Sequence, residues 1–119
     1  MTATSFHHTR VREQLQKELG RIIANDIRDP RVPPIVTVTD VRLSPDMRNA
    51  TVFISILGGT KEQKGVCIAL NNASAYIQRT LGSRVILKYM PRLFFKIDKS
   101  LEQGSRINDL LKEIQDDLV

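Results

Sequence analysis

With 119 residues, 41% of them hydrophobic and 26% charged, the chain has the make-up of one soluble globular domain, large enough for a single core. Its lone cysteine, Cys67, leaves no disulfide framework, and no apolar run nears the roughly 18 residues of a membrane helix. The net charge of +5 conceals an imbalance: residues 98–119 carry six acids against Lys99, Arg106 and Lys112, which leaves +8 on residues 1–97.

In chain order, "MTATSFHHTR" lacks the apolar core of a signal peptide, so the expected compartment is the cytoplasm. Val11, Leu15, Leu19, Ile22, Ile23 and Ile27 recur at three and four residues and predict an amphipathic helix. Thr4, Ser5 or Thr9 could start it, and Asp29-Pro30 is expected to end it. "IVTVTDVRL" reads as a strand whose alternation slips near Thr39-Asp40, which predicts a bulge. "SPDMRN" is turn chemistry, and "ATVFISIL" follows as the second strand of a hairpin, with Ala50, Val52, Ile54 and Ile56 on one face.

After "GGT", Val66, Leu70, Ala73, Ile77 and Leu81 form a second helical stripe, with Gly82 as the expected C-terminal cap. "RLFFKID" is a third strand, with Pro91 at its start and Leu93, Phe95 and Ile97 inward. Ser100 and Gln103 suggest a capping box ahead of a third stripe: Leu101, Ile107, Leu110, Leu111, Ile114 and Leu118. The order is α-β-β-α-β-α. It predicts a single α+β domain over residues 1–119, with residues 1–5 and 115–119 frayed, a three-stranded mixed sheet and helices on one face.

The second helix holds a small polar run, Asn71-Asn72-Ala73-Ser74-Ala75. Asn and Ser compete for backbone hydrogen bonds and could satisfy groups freed by a kink. Propensity alone favours a continuous helix here, since each such residue costs well under about 1 kcal/mol. Around the run, no acid lies between Glu62 and Asp98, while Lys64, Arg79, Arg84, Lys88, Arg92 and Lys96 do. Such a field suits a polyanion such as RNA, DNA or an anionic membrane surface, although a solvated face for solubility reads equally well from charge alone. Arg92, Phe94 and Lys96 share one strand face by alternation. No aromatic RNP motif or Trp is present, which argues against stacking of splayed bases as the main recognition mode.

Nothing resembles a catalytic set. His7 and His8 are adjacent with no acidic or thiol cluster at metal-ligand spacing, and GxGxxG, Walker and GxSxG motifs are missing. Cys67 sits beside the apolar stripe and reads as a small core residue, while Asp40 and Asp46 read as shaping the bulge and the turn. The expectation is no enzyme activity, no cofactor, no metal and no small-molecule substrate.

Helix, hairpin, helix with a central small-residue break, then strand is the layout of a KH-type (type II) RNA-binding domain, although the GXXG loop of such domains is absent. The segments "DIRDPRV", "VTVTDVRLSPDMRNATVFISILG", "A-x-A-Y-I-Q-R-x-L" and "MPRLFFKIDKSLEQGSRINDLL" resemble the ribosome-binding factor A family in order and spacing from about Val11 to Leu111. That family carries an Ala-x-Gly kink where this chain has Ala73-Ser74-Ala75. The resemblance implies a helix junction at the run and a bacterial, cytoplasmic, monomeric assembly factor. It implies binding to the small (30S) ribosomal subunit or its precursor, in support of late maturation and processing of 16S rRNA. From their charge and their places around the break and along the third strand, the RNA-binding candidates are Asn72, Ser74, Arg79, Arg84, Lys88, Arg92 and Lys96, with a solvated strand face as the other reading of Arg92 and Lys96. The alternatives are a general binder of structured RNA and a protein-interaction module that uses the acidic C-terminal stripe.

Overall fold

The computed structural model describes residues 3–33 and 35–100. The helical stripe expected after Ser100, with its capping box, lies outside those residues. Three strands, β1 (Thr37–Leu43), β2 (Asn49–Ser55) and β3 (Arg92–Ile97), form one sheet in the order β1-β2-β3. β1 and β2 are an antiparallel hairpin, whereas β3 runs parallel to β2, with Ala50 beside Leu93 and Ile54 beside Ile97. The sheet is therefore mixed, as the interposed helix required.

The hairpin follows from its sequence. The register slips between Val38 and Asp40, where the bulge was expected, and Asp40 Oδ1 accepts the Val41 amide at 2.9 Å. The slip returns Val41 to the inward face after Val38, and both are buried. In the turn, Asp46 Oδ1 accepts the Ser44 hydroxyl at 2.6 Å and the Arg48 amide at 3.1 Å. Met47 takes φ 60° there and bonds back to the Ser44 carbonyl at 2.8 Å.

Among the described residues, three helices cover the inward face: α1 (Ala3–Asn25), α2 (Thr60–Asn72) and α3 (Ser74–Gly82). α1 packs on β1 and α3, while α2 and α3 pack along β3. Leu15, Leu19, Ile22, Val52, Ile54, Leu70, Ile77 and Leu81 are fully enclosed between these layers. Burying each such side chain contributes about 1.5–3 kcal/mol, so the core rests on the helical and strand stripes read from the sequence.

Local details depart from expectation. α1 ends at Asn25, short of Asp29-Pro30. Asn and Asp are poor helix formers, and the chain unwinds there so that Ile27 and Val32 can pack against the core. β1 starts at Thr37 and β2 stops at Ser55, so Ile56 leaves the sheet and is only partly buried. Gly82 is not a left-handed cap. The cap is Ser83, at φ −81° and ψ −13°, and the Arg84 and Val85 amides still bond to the Leu81 carbonyl at 2.9 Å. Burial of Val85 holds the chain in this right-handed overrun, which needs no glycine conformation.

Candidate nucleic-acid interface

The polar run is a junction. α2 ends at Asn72, α3 begins at Ser74, and Ala73 between them has φ −90° and ψ 5°. Its amide is shared between the Ala69 and Leu70 carbonyls, at 3.0 and 3.1 Å, while its own carbonyl accepts the Ile77 amide at 2.9 Å. One residue thus closes one helix and opens the next. These angles lie in the bridge region, open to any L-residue, so alanine serves without a glycine. No side chain caps the start of α3. Instead, backbone amides at the break bond to the Ala69, Leu70 and Asn71 carbonyls at the end of α2.

β3 is an edge strand, and its free edge faces this junction. Asn71 was expected to satisfy groups freed by the kink. It instead pairs with the strand: Nδ2 donates to the Phe95 carbonyl at 3.2 Å, and the Phe95 amide donates to Oδ1 at 2.9 Å. Gln78 Nε2 donates to the Met90 and Pro91 carbonyls, at 3.2 and 3.0 Å. Cys67, half-buried, accepts from the Ile97 amide, and burial pushes its thiol pKa up, which disfavours the thiolate. Side chains from α2 and α3 thereby replace a missing fourth strand and fix the junction opposite the middle of β3.

At that middle, Ser74, Ala75 and Gln78 meet Arg92, Leu93 and Phe94 around a concavity of about 220 Å³. Arg92, Phe94 and Lys96 point away from the helices, as alternation predicted, and all three are exposed. Register extends this outward face across the sheet. Thr51 stands beside Phe94, Phe53 beside Lys96, and Arg42 beside Thr51. The Arg42 guanidinium lies over the Phe53 ring, 5.1 Å from its centroid. Arg42 and Phe53 were not among the residues singled out from sequence. Phe53 alternates with buried Val52 and Ile54, which was the available signal, but only the strand pairing places it beside Lys96.

The seven sequence candidates divide. Ser74 and Arg92 line the concavity, Asn72 is exposed one residue before the break, and Lys96 lies further along the same strand face. Arg79 is exposed on α3, four residues after Ala75 and so on the same helix side. Arg84 does not join them. Its Nη2 lies 2.9 Å from Asp26 Oδ2, in an ion pair that ties the end of α3 to the end of α1. Lys88 is also apart, over the Tyr89 ring and beside Asp46 and Met47 of the hairpin turn. No group of three or more potential metal ligands occurs among the described residues. No described helix is long and apolar enough to cross a membrane.

A helix, a hairpin, a helix broken at its centre and a parallel third strand, with the break set against that strand's free edge, define a KH-like α+β domain. The sequence is 43% identical over 108 residues to ribosome-binding factor A of Halothermothrix orenii, spanning 91% of this chain and 88% of that one. It is 40% identical over 107 residues to the Clostridium novyi protein of the same name, with 90% and 88% covered. The family model for ribosome-binding factor A matches residues 7–111, and the chain belongs to that family. The crystal structure of the Thermus thermophilus factor superposes with a TM-score of 0.70 at 28% identity, covering 78% of this chain and 97% of that one. A Thermus thermophilus homology model, fitted into a cryo-EM map of a complex of that factor with 30S, gives a TM-score of 0.62 at 28% identity, covering 74% and 91%.

Proposed function

We propose that the chain is a non-enzymatic, cytoplasmic ribosome assembly factor. It binds the small (30S) subunit or its precursor as a monomer and supports late maturation and processing of 16S rRNA. The observation that carries this reading is the meeting of Ser74 and Ala75, at the α2–α3 junction, with Arg92 and Phe94, all four within a stretch of sequence that holds no acid. Arginines can grip phosphate oxygens bidentately. Such contacts position a protein on folded RNA without reading its sequence. Phe53 and Phe94 add apolar surface for a ribose or an unstacked base at the same face. A related factor complexed with 30S supports the choice of partner.

The test is sedimentation of the purified chain with separated ribosomal particles, with competition by unrelated structured RNA. Co-migration with free small subunits that survives the competitor, and that weakens with Arg92→Ala or Phe94→Ala, is the expected result. Equal binding to large subunits, or loss to the competitor, would leave only a general RNA binder.

A further inference from the structure

Along the N-terminal part of α2, ahead of the junction, lies an open groove of about 610 Å³. Its walls are Pro30, Pro33, Ile56, Leu57, Val66 and Ile68, and Lys61 and Lys64 stand on its rim. Leu57 is 89% exposed and Ile68 53% exposed. Among the described residues no carboxylate pairs with either lysine, while Glu62 is engaged with the Gly59 amide at 3.0 Å. An apolar floor with unpaired cations at its edge is a seat for an acidic amphipathic segment.

We propose that this groove is the docking seat of the chain's own residues 101–119. Three observations choose this occupant. The described chain leaves the sheet beside the groove: the Asp98 amide bonds to the Ile54 carbonyl at 2.8 Å, two residues before Ile56 of the groove wall. The Ser100 amide then turns back onto Asp98 Oδ1 at 2.8 Å, so the described chain ends at that end of the sheet. The 19 residues that follow carry Ile107, Leu110, Leu111, Ile114 and Leu118 at spacings of three and four, an apolar stripe matched to an apolar floor.

Charge agrees with shape. Residues 101–119 hold Glu102, Asp109, Glu113, Asp116 and Asp117 against Arg106 and Lys112, a net of −3. Lys61 and Lys64 supply the complementary sign on the rim. The segment is tethered within a few residues of its seat, so its effective concentration there is high and a weak contact suffices. The groove lining stops at Ile68, ahead of the junction, and shares no residue with the concavity of Ser74, Arg92 and Phe94, so the seat leaves that concavity open.

Methyl-labelled full-length protein tests this by nuclear Overhauser contacts. Cross-peaks are expected from Leu110, Leu111 or Ile114 methyls to those of Leu57 and Ile68. The full-length double variant Leu110→Asp with Leu111→Asp should lose them and shift the Leu57 and Ile68 resonances, while core methyls such as Leu15 stay in place. Lys61→Glu with Lys64→Glu should weaken the same cross-peaks without unfolding the domain. Contacts from the segment to other surfaces, or no contacts to Leu57 and Ile68, would overturn the proposal. So would cross-peaks that arise only between differently labelled copies, because a second chain would then be the occupant.

Discussion

Asn71 makes two hydrogen bonds to the backbone of Phe95, one as donor and one as acceptor, in the arrangement a neighbouring strand residue would use. Removing its amide leaves both partly buried groups of Phe95 without that partner, at a cost of about 1–3 kcal/mol. Asn71→Leu is expected to lower stability by that amount in chemical denaturation, although leucine is the better helix former. Asn71→Asp keeps only the acceptor and should fall between variant and parent; equal stability of all three would show that water replaces the amide without loss. Gly58 is the other residue whose identity the backbone dictates. Its φ is +148°, and a Cβ there would sit 2.9 Å from Glu62 Cβ, the residue that closes the start of α2. Gly58→Ala should destabilise by about 1–3 kcal/mol, read as a lower melting temperature. Gly65, with nothing within 4 Å of such a Cβ, should accept alanine and serves as the control.

At the scale of elements, the stripes of α1 and α2–α3, the bulge in β1 and the two faces of β3 were all legible, because each rests on periodicity or turn chemistry within a few residues. The ends of elements were not. Asn25 and Ser83 close helices where tertiary packing of Ile27 and Val85 outweighs the Pro30 and Gly82 signals. The site was half legible for a related reason: Arg92 and Lys96 are set by alternation, but Arg84 finds Asp26, 58 residues away, which no local pattern announces. The junction itself was ambiguous from propensity, and the bend falls at Ala73 while Ala75 is already within α3. This makes a sharp expectation for Ala75, which is exposed and lines the concavity. Ala75→Gly should leave small-subunit affinity intact at a cost of up to about 1 kcal/mol in stability. Ala75→Leu adds bulk at the mouth of the concavity and should reduce affinity more than stability. Affinity and melting temperature at one salt concentration decide it; an Ala75→Leu variant that binds like the parent removes the concavity from the interface.

Across the whole molecule, charge acts on stability and on binding in separable ways. Asp29 is held down to about 2, first by its side-chain hydrogen bond to Arg31, and Asp46 and Asp98 are lowered by Ser44 and by Ser100 with Thr39. A carboxyl whose folded pKa is depressed adds stability that is fully present above its unfolded value near 4 and is lost as pH falls through the folded one. Unfolding midpoints should therefore hold from neutral pH to about 5 and decline below about 4. A midpoint flat down to about pH 2.5 would show these contacts to be thermodynamically silent. Binding should respond to salt instead. If four to six phosphates are neutralised, log affinity for small subunits falls against log salt with a slope of roughly −3 to −5. The geometry separates two arginines that sequence alone treats alike. Arg92 is exposed beside Ser74 and Phe94, so Arg92→Ala should cut the slope by about 1. Arg84 is held by Asp26, so Arg84→Ala should leave the slope unchanged and cost at most about 1 kcal/mol of stability, as for a partly exposed ion pair. Equal loss of slope in both variants would mean that Arg84 leaves Asp26 for phosphate, and that the interface extends past α3 towards the end of α1.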